Sequence, residues 1–417
     1  MDRRAFLKVG ASSLLSLWAA QLARPRRVRA EERRNPAAKA KACIVLWMNG
    51  GPSHVDTWDP KPGSPGAGKF KAIKTAVDGV QICEHLPLVA EHAGKLAILR
   101  GMTSKEGNHD RAQHLLHTGY APNPTVSYPS LGGWAAEELG DPSTDLPGFV
   151  SISGPSFGAG FLGVQYGPFV VPDPKQPPAN TNYARNVDFA RFVRRRGALA
   201  SLEEQFAAET GDPKIKQRET VYAKSVRLMY SSRLKAFELD DEPDAVRAAY
   251  GASDFGRGCL MARRLVEAGV KFVEVVLDGW DTHKDNFGKT EKLMGALDPA
   301  FAQLVRELDE RKLLDSTLIV CCGEFGRTPK INANDGRDHH PQAWSAVLAG
   351  GGVRGGVVHG ETDGDGAKVA KDPTSVADLF ATVATLLGLD PAKEVITPRG
   401  RPVELTDKGK PIAAIMT

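Results

Sequence analysis

The sequence predicts an α/β fold in which a mostly parallel sheet is flanked by helices on both faces. Three observations predict it. Short runs that are apolar at nearly every position, CIVLWM (43–48), LAILRGM (96–102), VKFVEVVL (270–277), STLIVCC (316–322) and AWSAVLAG (343–350), read as strands covered on both sides. Helical stretches separate several of them, and strands alternating with helices are the pattern of parallel sheets. The runs end in loops dense in Asp, His, Asn and Ser, and open α/β sheets bind their ligands beyond the carboxyl ends of the strands.

Residues 1–30 are set apart by their layout. Arg3 and Arg4 precede Phe6, Leu7 and Lys8, an apolar stretch runs from Val9 to Ala23, and Val28-Arg29-Ala30 fits a small-residue cleavage site, the arrangement of a twin-arginine export signal with Asp2 where Ser is usual. The apolar stretch is too short and too rich in Ser to anchor a span, so no stable membrane span is expected after signal cleavage. The mature protein is expected in the periplasm or outside the cell, with the twin-arginine translocase as its partner during export. This segment carries seven basic residues against Asp2, or +6 of a chain whose net charge is +4, which leaves −2 on the other 387 residues. That balance removes the electrostatic case for a nucleic-acid partner. Five cysteines, Cys43, Cys83, Cys259, Cys321 and Cys322, contain no CxxC pair, and an odd set of this kind does not read as a disulfide framework; Cys43, Cys321 and Cys322 fall in or beside apolar runs and read as small buried hydrophobes.

Residues 31–41 are polar and read as a linker, and 42–417 as the α/β domain, with a loop and helical insertion at about 151–250. Within it, 151–185 is rich in Gly, Pro and Asn and reads as a loop excursion, and 187–239 as charged amphipathic helices. Further helices are predicted over His109–His117, Phe255–Ala268, about 289–312, and 376–389.

The strand-end loops carry the chemistry. After the first strand come Asn49, Ser53, His54, Asp56 and Asp59, and after the second Thr103, Ser104, Asn108, His109 and Asp110. DGWDTH (278–283) supplies Asp278, Asp281 and His283; GEFGRTP (323–329) supplies Glu324 and Arg327; GRDHHP (336–341) supplies Asp338, His339 and His340. One such loop means little, since Asp is an ordinary cap and turn residue, and Asp281, Asp56 and Asp59 each have that plain reading open. Five together point to a divalent metal. Carboxylates mixed with imidazoles and no nearby thiolate suit zinc first, or magnesium, manganese or calcium where oxygen ligands predominate. Such an ion lowers the pKa of a bound water or polarises a phosphate or sulfate ester oxygen, and Arg327 offers a planar fork for an oxyanion.

The motifs NGGPSHVDTWDPKP (49–62), NHDRAQHLLHTG (108–119), DGWDTH, GEFGRTP, GRDHHP and the closing VADLFATVATLLGL resemble, in order and position, the alkaline phosphatase and sulfatase superfamily. Within it the chain is similar to an uncharacterised twin-arginine-exported bacterial family, a domain of unknown function. The resemblance implies an alkaline-phosphatase-like fold and a metal-dependent hydrolase acting on a small-molecule or polymer ester. Its metal ligands would be Asp281, His283, Glu324 and His339 or its neighbour His340, with Asp56 or Asp59 substituting where Asn49 stands in place of an expected Asp. His109 falls where superfamily hydrolases hold the nucleophile, so three routes stay open: attack by a metal-bound water with His109 completing the site or accepting the group, attack by Ser104 or Thr103, or loss of turnover. The rival readings are an exported binding protein that holds a sugar or anionic polymer in a degenerate site, and an envelope protein that works through its helical insertion.

Overall fold

The computed structural model describes residues 38–141 and 143–417; the signal read at 1–30 and residues 31–37 of the linker lie outside the described residues. The main sheet has nine strands: β1 (Ala42–Asn49), β2 (Leu96–Thr103), β3 (Phe149–Ile152), β4 (Phe169–Val171), β5 (Phe272–Asp278), β6 (Thr317–Cys322), β7 (Trp344–Ala349), β8 (Val357–His359) and β9 (Thr374–Ser375). Their order is β8-β2-β7-β6-β1-β5-β3-β4, with β9 alongside β2. Every pairing is parallel except those of β7, which runs antiparallel to both β2 and β6.

The central position of β1 explains its composition. Ile44, Leu46 and Met48 point to one face, where they pack in the core with α5 (Asp254–Glu267) and α6 (Asn286–Glu310). Cys43, Val45 and Trp47 point to the other, into a core shared with α2 (Leu131–Glu138) and α7 (Val376–Leu386). A strand with helices on both faces has no wet side, so its sequence does not alternate. The mixed α/β architecture with a mostly parallel, helix-flanked sheet is therefore as expected.

Local signals place the helices. In α1 (His109–Thr118) the Asn108 side chain accepts from Arg111 N at 3.3 Å, and Gly119, left-handed at φ 76°, ends the helix. A reciprocal capping box between Ser375 and Asp378 starts α7. Two long helices, α3 (Phe189–Thr210) and α4 (Pro213–Met229), fill the amphipathic region. Strand β3 runs into the start of the Gly/Pro-rich stretch 151–185 and β4 lies within it, so that stretch is not all loop but extends the sheet; at four and three residues these strands are too short to show a period. The loops GEFGRTP and GRDHHP turn out to be largely the two arms of a hairpin, Gly326–Ile331 against Arg337–His340, which carries His339 back over the sheet. All five cysteines are buried and unpaired, and burial pushes the thiols of Cys83 and Cys322 up to about 12, which fits the reading of small hydrophobes. No helix among the described residues is long and apolar enough to cross a membrane.

Asp56 is part of this scaffold. Fully buried, it accepts from Arg337 Nε at 2.6 Å and Nη2 at 2.9 Å and from Asn286 Nδ2 at 2.8 Å, tying the loop after β1 to the hairpin and to the start of α6. The structure thus corrects its placement among the metal ligands, because both oxygens are committed to the Arg337 and Asn286 donors. Asp56→Asn leaves the Arg337 charge buried and unpaired, so it is expected to cost about 3–5 kcal/mol in a denaturant titration while metal stoichiometry stays unchanged.

His54 and His340 stack on one another with centroids 6.3 Å apart, and each gives its Nε2 proton to a carbonyl, Gly366 O at 2.7 Å and Ala367 O at 2.8 Å. Burial pulls the His54 pKa down from 6.5 to about 4. The unfolded chain takes up this proton near pH 6.5 and the folded chain only near 4, so the stability is full above 6.5 and falls through that interval. Acid unfolding of the protein should lose about 3 kcal/mol to this one group between those limits, and His54→Gln should flatten that part of the stability–pH curve.

Candidate metal centre

Side chains from four segments meet beyond the carboxyl ends of β1, β2, β5 and β6. Their meeting depends on close approach of backbone. Gly50 and Gly51 follow β1 with φ of +113° and +78°, and a Cβ at Gly50 would lie 2.3 Å from Asp281 N, so only glycine lets the β1 and β5 loops touch. The Gly50 N–H then donates to both oxygens of Glu324 at 3.1 Å, while Arg327 donates to the carbonyls of Gly50 and Gly51, the latter at 2.9 Å.

On this platform Asp281 Oδ1 stands at the middle of three imidazoles. His283 Nε2 lies 3.3 Å from it, His109 Nε2 3.4 Å and His339 Nε2 3.6 Å. His109, Asp281 and His339 each bring one ligand atom within 4.8 Å of the others, and His283 Nε2 closes on His339 Nε2 at 2.9 Å. The other ring nitrogens are all engaged outward: His109 Nδ1 with Glu324 Oε1 at 2.6 Å, His283 Nδ1 with Asp338 Oδ1 at 2.9 Å, and His339 Nδ1 with Gly107 O at 2.7 Å. A carbonyl and ionised carboxylates only accept, so each Nδ1 carries the proton and donates it. Each neutral ring is left with a lone pair on Nε2, aimed inward, and the buried His109 Nε2 has no hydrogen-bond partner. The ring nitrogens of His283 and His339, 2.9 Å apart, share either a proton or a cation between them.

The donor set is of a kind that can hold a divalent ion. Ligands at about 2.0–2.1 Å from a shared tetrahedral ion lie about 3.3 Å from one another, close to the distances measured from Asp281 Oδ1. An outward Nδ1–H given to a carboxylate or carbonyl is the usual support of a metal-bound imidazole. The electrostatics agree. The Glu324 hydrogen bond raises the His109 pKa against the effect of burial. Burial pushes Asp281 upward, but the Arg327 hydrogen bond and charge, with His109 and His283, bring it below the ordinary carboxylate value. Burial lowers His339, with the Gly107 carbonyl opposing. The hydrogen bond from His283 lowers Asp338.

Not every residue marked in the sequence reaches this point. Glu324 sits behind the cluster, fully buried, where it accepts from Gly50 N, His109 Nδ1 and, at 3.3 Å, Gln113 Nε2; it orients a ligand and does not present itself as one. Arg327, expected to steady a substrate anion, is fully buried, and it donates to Gly50 O, Gly51 O, Arg337 O and Asp281, the last at 2.6 Å, so it serves the site by holding Asp281. His340 points the other way, into its stack with His54. Ser104 accepts from Glu106 N at 3.1 Å and its N–H donates to Pro341 O at 2.8 Å, the contacts of a turn. Asp56 is spent on Arg337, as above. Gln113 was missed, although its signal is simple: it follows His109 by four residues on α1, hence on the same helix face, and its amide donates to Asn49 Oδ1 at 2.9 Å as well as to Glu324.

The fold and this cluster define a mixed α/β protein with a His/Asp centre at the carboxyl rim of its sheet. The chain belongs to the family described as "Protein of unknown function (DUF1501)", whose pattern matches residues 40–416. No curated protein matches the sequence. Among solved structures the chain is similar to the PsFucS1 sulfatase from Pseudoalteromonas sp., at 14% identity over 93% of this chain and 72% of that one, TM-score 0.40. It is also similar to the phosphonate monoester hydrolase SpPMH from Silicibacter pomeroyi, at 11% identity over 91% and 76%, TM-score 0.38, and to an alkaline phosphatase from the Antarctic bacterium TAB5, at 12% identity over 75% and 92%, TM-score 0.30.

If Glu324 acts through His109, Glu324→Gln is expected to keep the fold and lower zinc affinity about 10- to 100-fold in a chelator competition, whereas His340→Ala leaves that affinity unchanged.

Proposed function

We propose that the chain is an exported, metal-dependent hydrolase of phosphate or sulfate esters. The observation that carries the reading is the convergence of three Nε2 lone pairs, from His109, His283 and His339, on the single oxygen Asp281 Oδ1. The centre faces solvent on one side, since Asp281 and His283 are each nearly half exposed, which leaves a substrate room to approach. Export rests on the Arg3-Arg4 pattern and cleavage-like Val28-Arg29-Ala30 of the first thirty residues.

Each residue has a definable task. His109, His283 and His339 present lone pairs, held in the right tautomer by Glu324, Asp338 and the Gly107 carbonyl. Asp281 supplies the one negative charge of the ligand set and is kept ionised and in place by Arg327. A dication held by three neutral imidazoles and one carboxylate keeps a net charge of +1, and so supplies a Lewis acid that attracts an anionic ester and activates water. Gln113 and the Gly50 N–H hold Glu324, and through it the His109 ring, against rotation.

The test is elemental analysis of the purified chain followed by assay on aryl phosphate, phosphodiester and aryl sulfate with zinc, manganese, magnesium and calcium. The expected outcome is one ion per chain, hydrolysis of at least one ester class, loss of activity with a chelator, and loss of both metal and activity in Asp281→Asn and His339→Ala. A chain without stoichiometric metal, gaining no thermal stability from added divalent ions, overturns the metal reading. A metal-loaded chain that retains an anionic saccharide without releasing product overturns turnover in favour of binding.

A further inference from the structure

Helix α3 carries an apolar face that no other part of the described chain covers. Leu202 is 65% and Phe206 49% exposed on it, although large apolar side chains on a 22-residue helix ordinarily mark its buried side. The side turned toward α4 is a different one: Glu203 is buried there and accepts from Arg218 at 2.8 Å, and Arg196 lies over the Tyr222 ring at 4.6 Å. At about 100° of rotation per residue, Arg195, Ala198, Leu202, Phe206 and Glu209 all fall within about 40° of one line along the helix. All five are exposed.

Between Arg195 and Glu209 the spacing along that line is symmetric, and exposed Arg191 lies on the same line one turn further toward the N-terminus, outside the symmetric stretch. Ala198 and Phe206 stand four residues on either side of Leu202, and Arg195 and Glu209 seven on either side, with opposite charges at the two ends. We propose that this stripe binds the same stripe of a second copy of the chain, the two α3 helices lying antiparallel about a two-fold axis at Leu202. In that arrangement Leu202 meets its own counterpart, each Phe206 lies over the small Ala198 of the other copy, and each Glu209 faces an Arg195. A two-fold contact uses one patch twice, so it needs a patch complementary to its own reverse, and this one is. Antiparallel packing also opposes the helix dipoles favourably. The charge balance decides the occupant: an anionic lipid surface calls for a continuous basic face, whereas Arg195 and Glu209 on one line satisfy each other only across a reversed copy. A contact limited to one helix per copy belongs at the small end of interface sizes, so the association is a reversible one that follows protein concentration. It is independent of the metal centre.

Sedimentation of the whole chain over a range of concentrations, with and without added salt, tests this. A monomer–dimer equilibrium weakened by salt is expected. Leu202→Asp should give monomer throughout, and Arg195→Glu should weaken association about tenfold or more, since it replaces two attractions by two repulsions. The double exchange Arg195→Glu with Glu209→Arg should restore it. All three positions are exposed, and an unchanged far-ultraviolet spectrum confirms that the helix survives. The proposal is overturned by a chain that stays monomeric at every concentration, by a dimer indifferent to Leu202→Asp, by a double exchange that fails to rescue, or by binding to phosphatidylglycerol vesicles without self-association.

Discussion

Two residues of backbone, Gly50 and Gly51, are held between a buried acid and a buried base. Glu324 takes the Gly50 N–H and Arg327 takes the carbonyls of both glycines. Glu324 and Arg327 flank the same turn after β6, and Asp281, which Arg327 also holds, follows β5. The clamp therefore joins the ends of three adjacent parallel strands through one short stretch of chain. It works only because the two glycines occupy positive φ and press against Asp281 and Phe325 where a Cβ would collide. Two opposite charges buried in this way satisfy each other through the backbone between them, which removes most of the desolvation penalty each would face alone.

The His/Asp cluster inherits its order from that clamp. Once Glu324 is immobile, the His109 Nδ1–H has a fixed acceptor and Nε2 a fixed direction; Asp338 and the Gly107 carbonyl do the same for His283 and His339. The inward lone pairs are set by outward hydrogen bonds, so the residues one step behind the cluster decide its chemistry as much as those that form it. The hairpin carrying His339 is itself anchored from below by the buried Asp56–Arg337 pair. Several strongly polar residues of the strand-end loops thus act as structure, and they leave a small subset gathered around Asp281, with His109 Nε2 buried and without a hydrogen-bond partner.

Much of the fold was legible because burial on both faces leaves a direct mark. The runs at 43–48, 96–102 and 316–322 match β1, β2 and β6 to within a residue or so at each end. Strands β3 and β4 left no mark, being too short to display a period and lying beside Gly- and Pro-rich chain. The reversed direction of β7 was equally silent, since an apolar strand reads the same in either sense. At the site, Asp281, His283, His339 and His109 could be named from residue type and position at strand ends. The separate fates of Glu324, Arg327, Asp56, Ser104 and His340 could not, because a carboxylate that binds a metal and one that binds an arginine are the same letter.

The sequence by itself therefore determined the layers: which segments are covered on both faces, which ends of the strands are polar, and which residue types are available there to hold a cation. Periodicity and composition are local properties, and a single chain displays them without being folded. Only the tertiary structure decided which of those polar groups neutralise one another and which are gathered around Asp281. That choice depends on contacts between residues more than two hundred positions apart, such as Gly50 with Glu324 and His109 with Glu324, and no pattern in the neighbourhood of either residue records it.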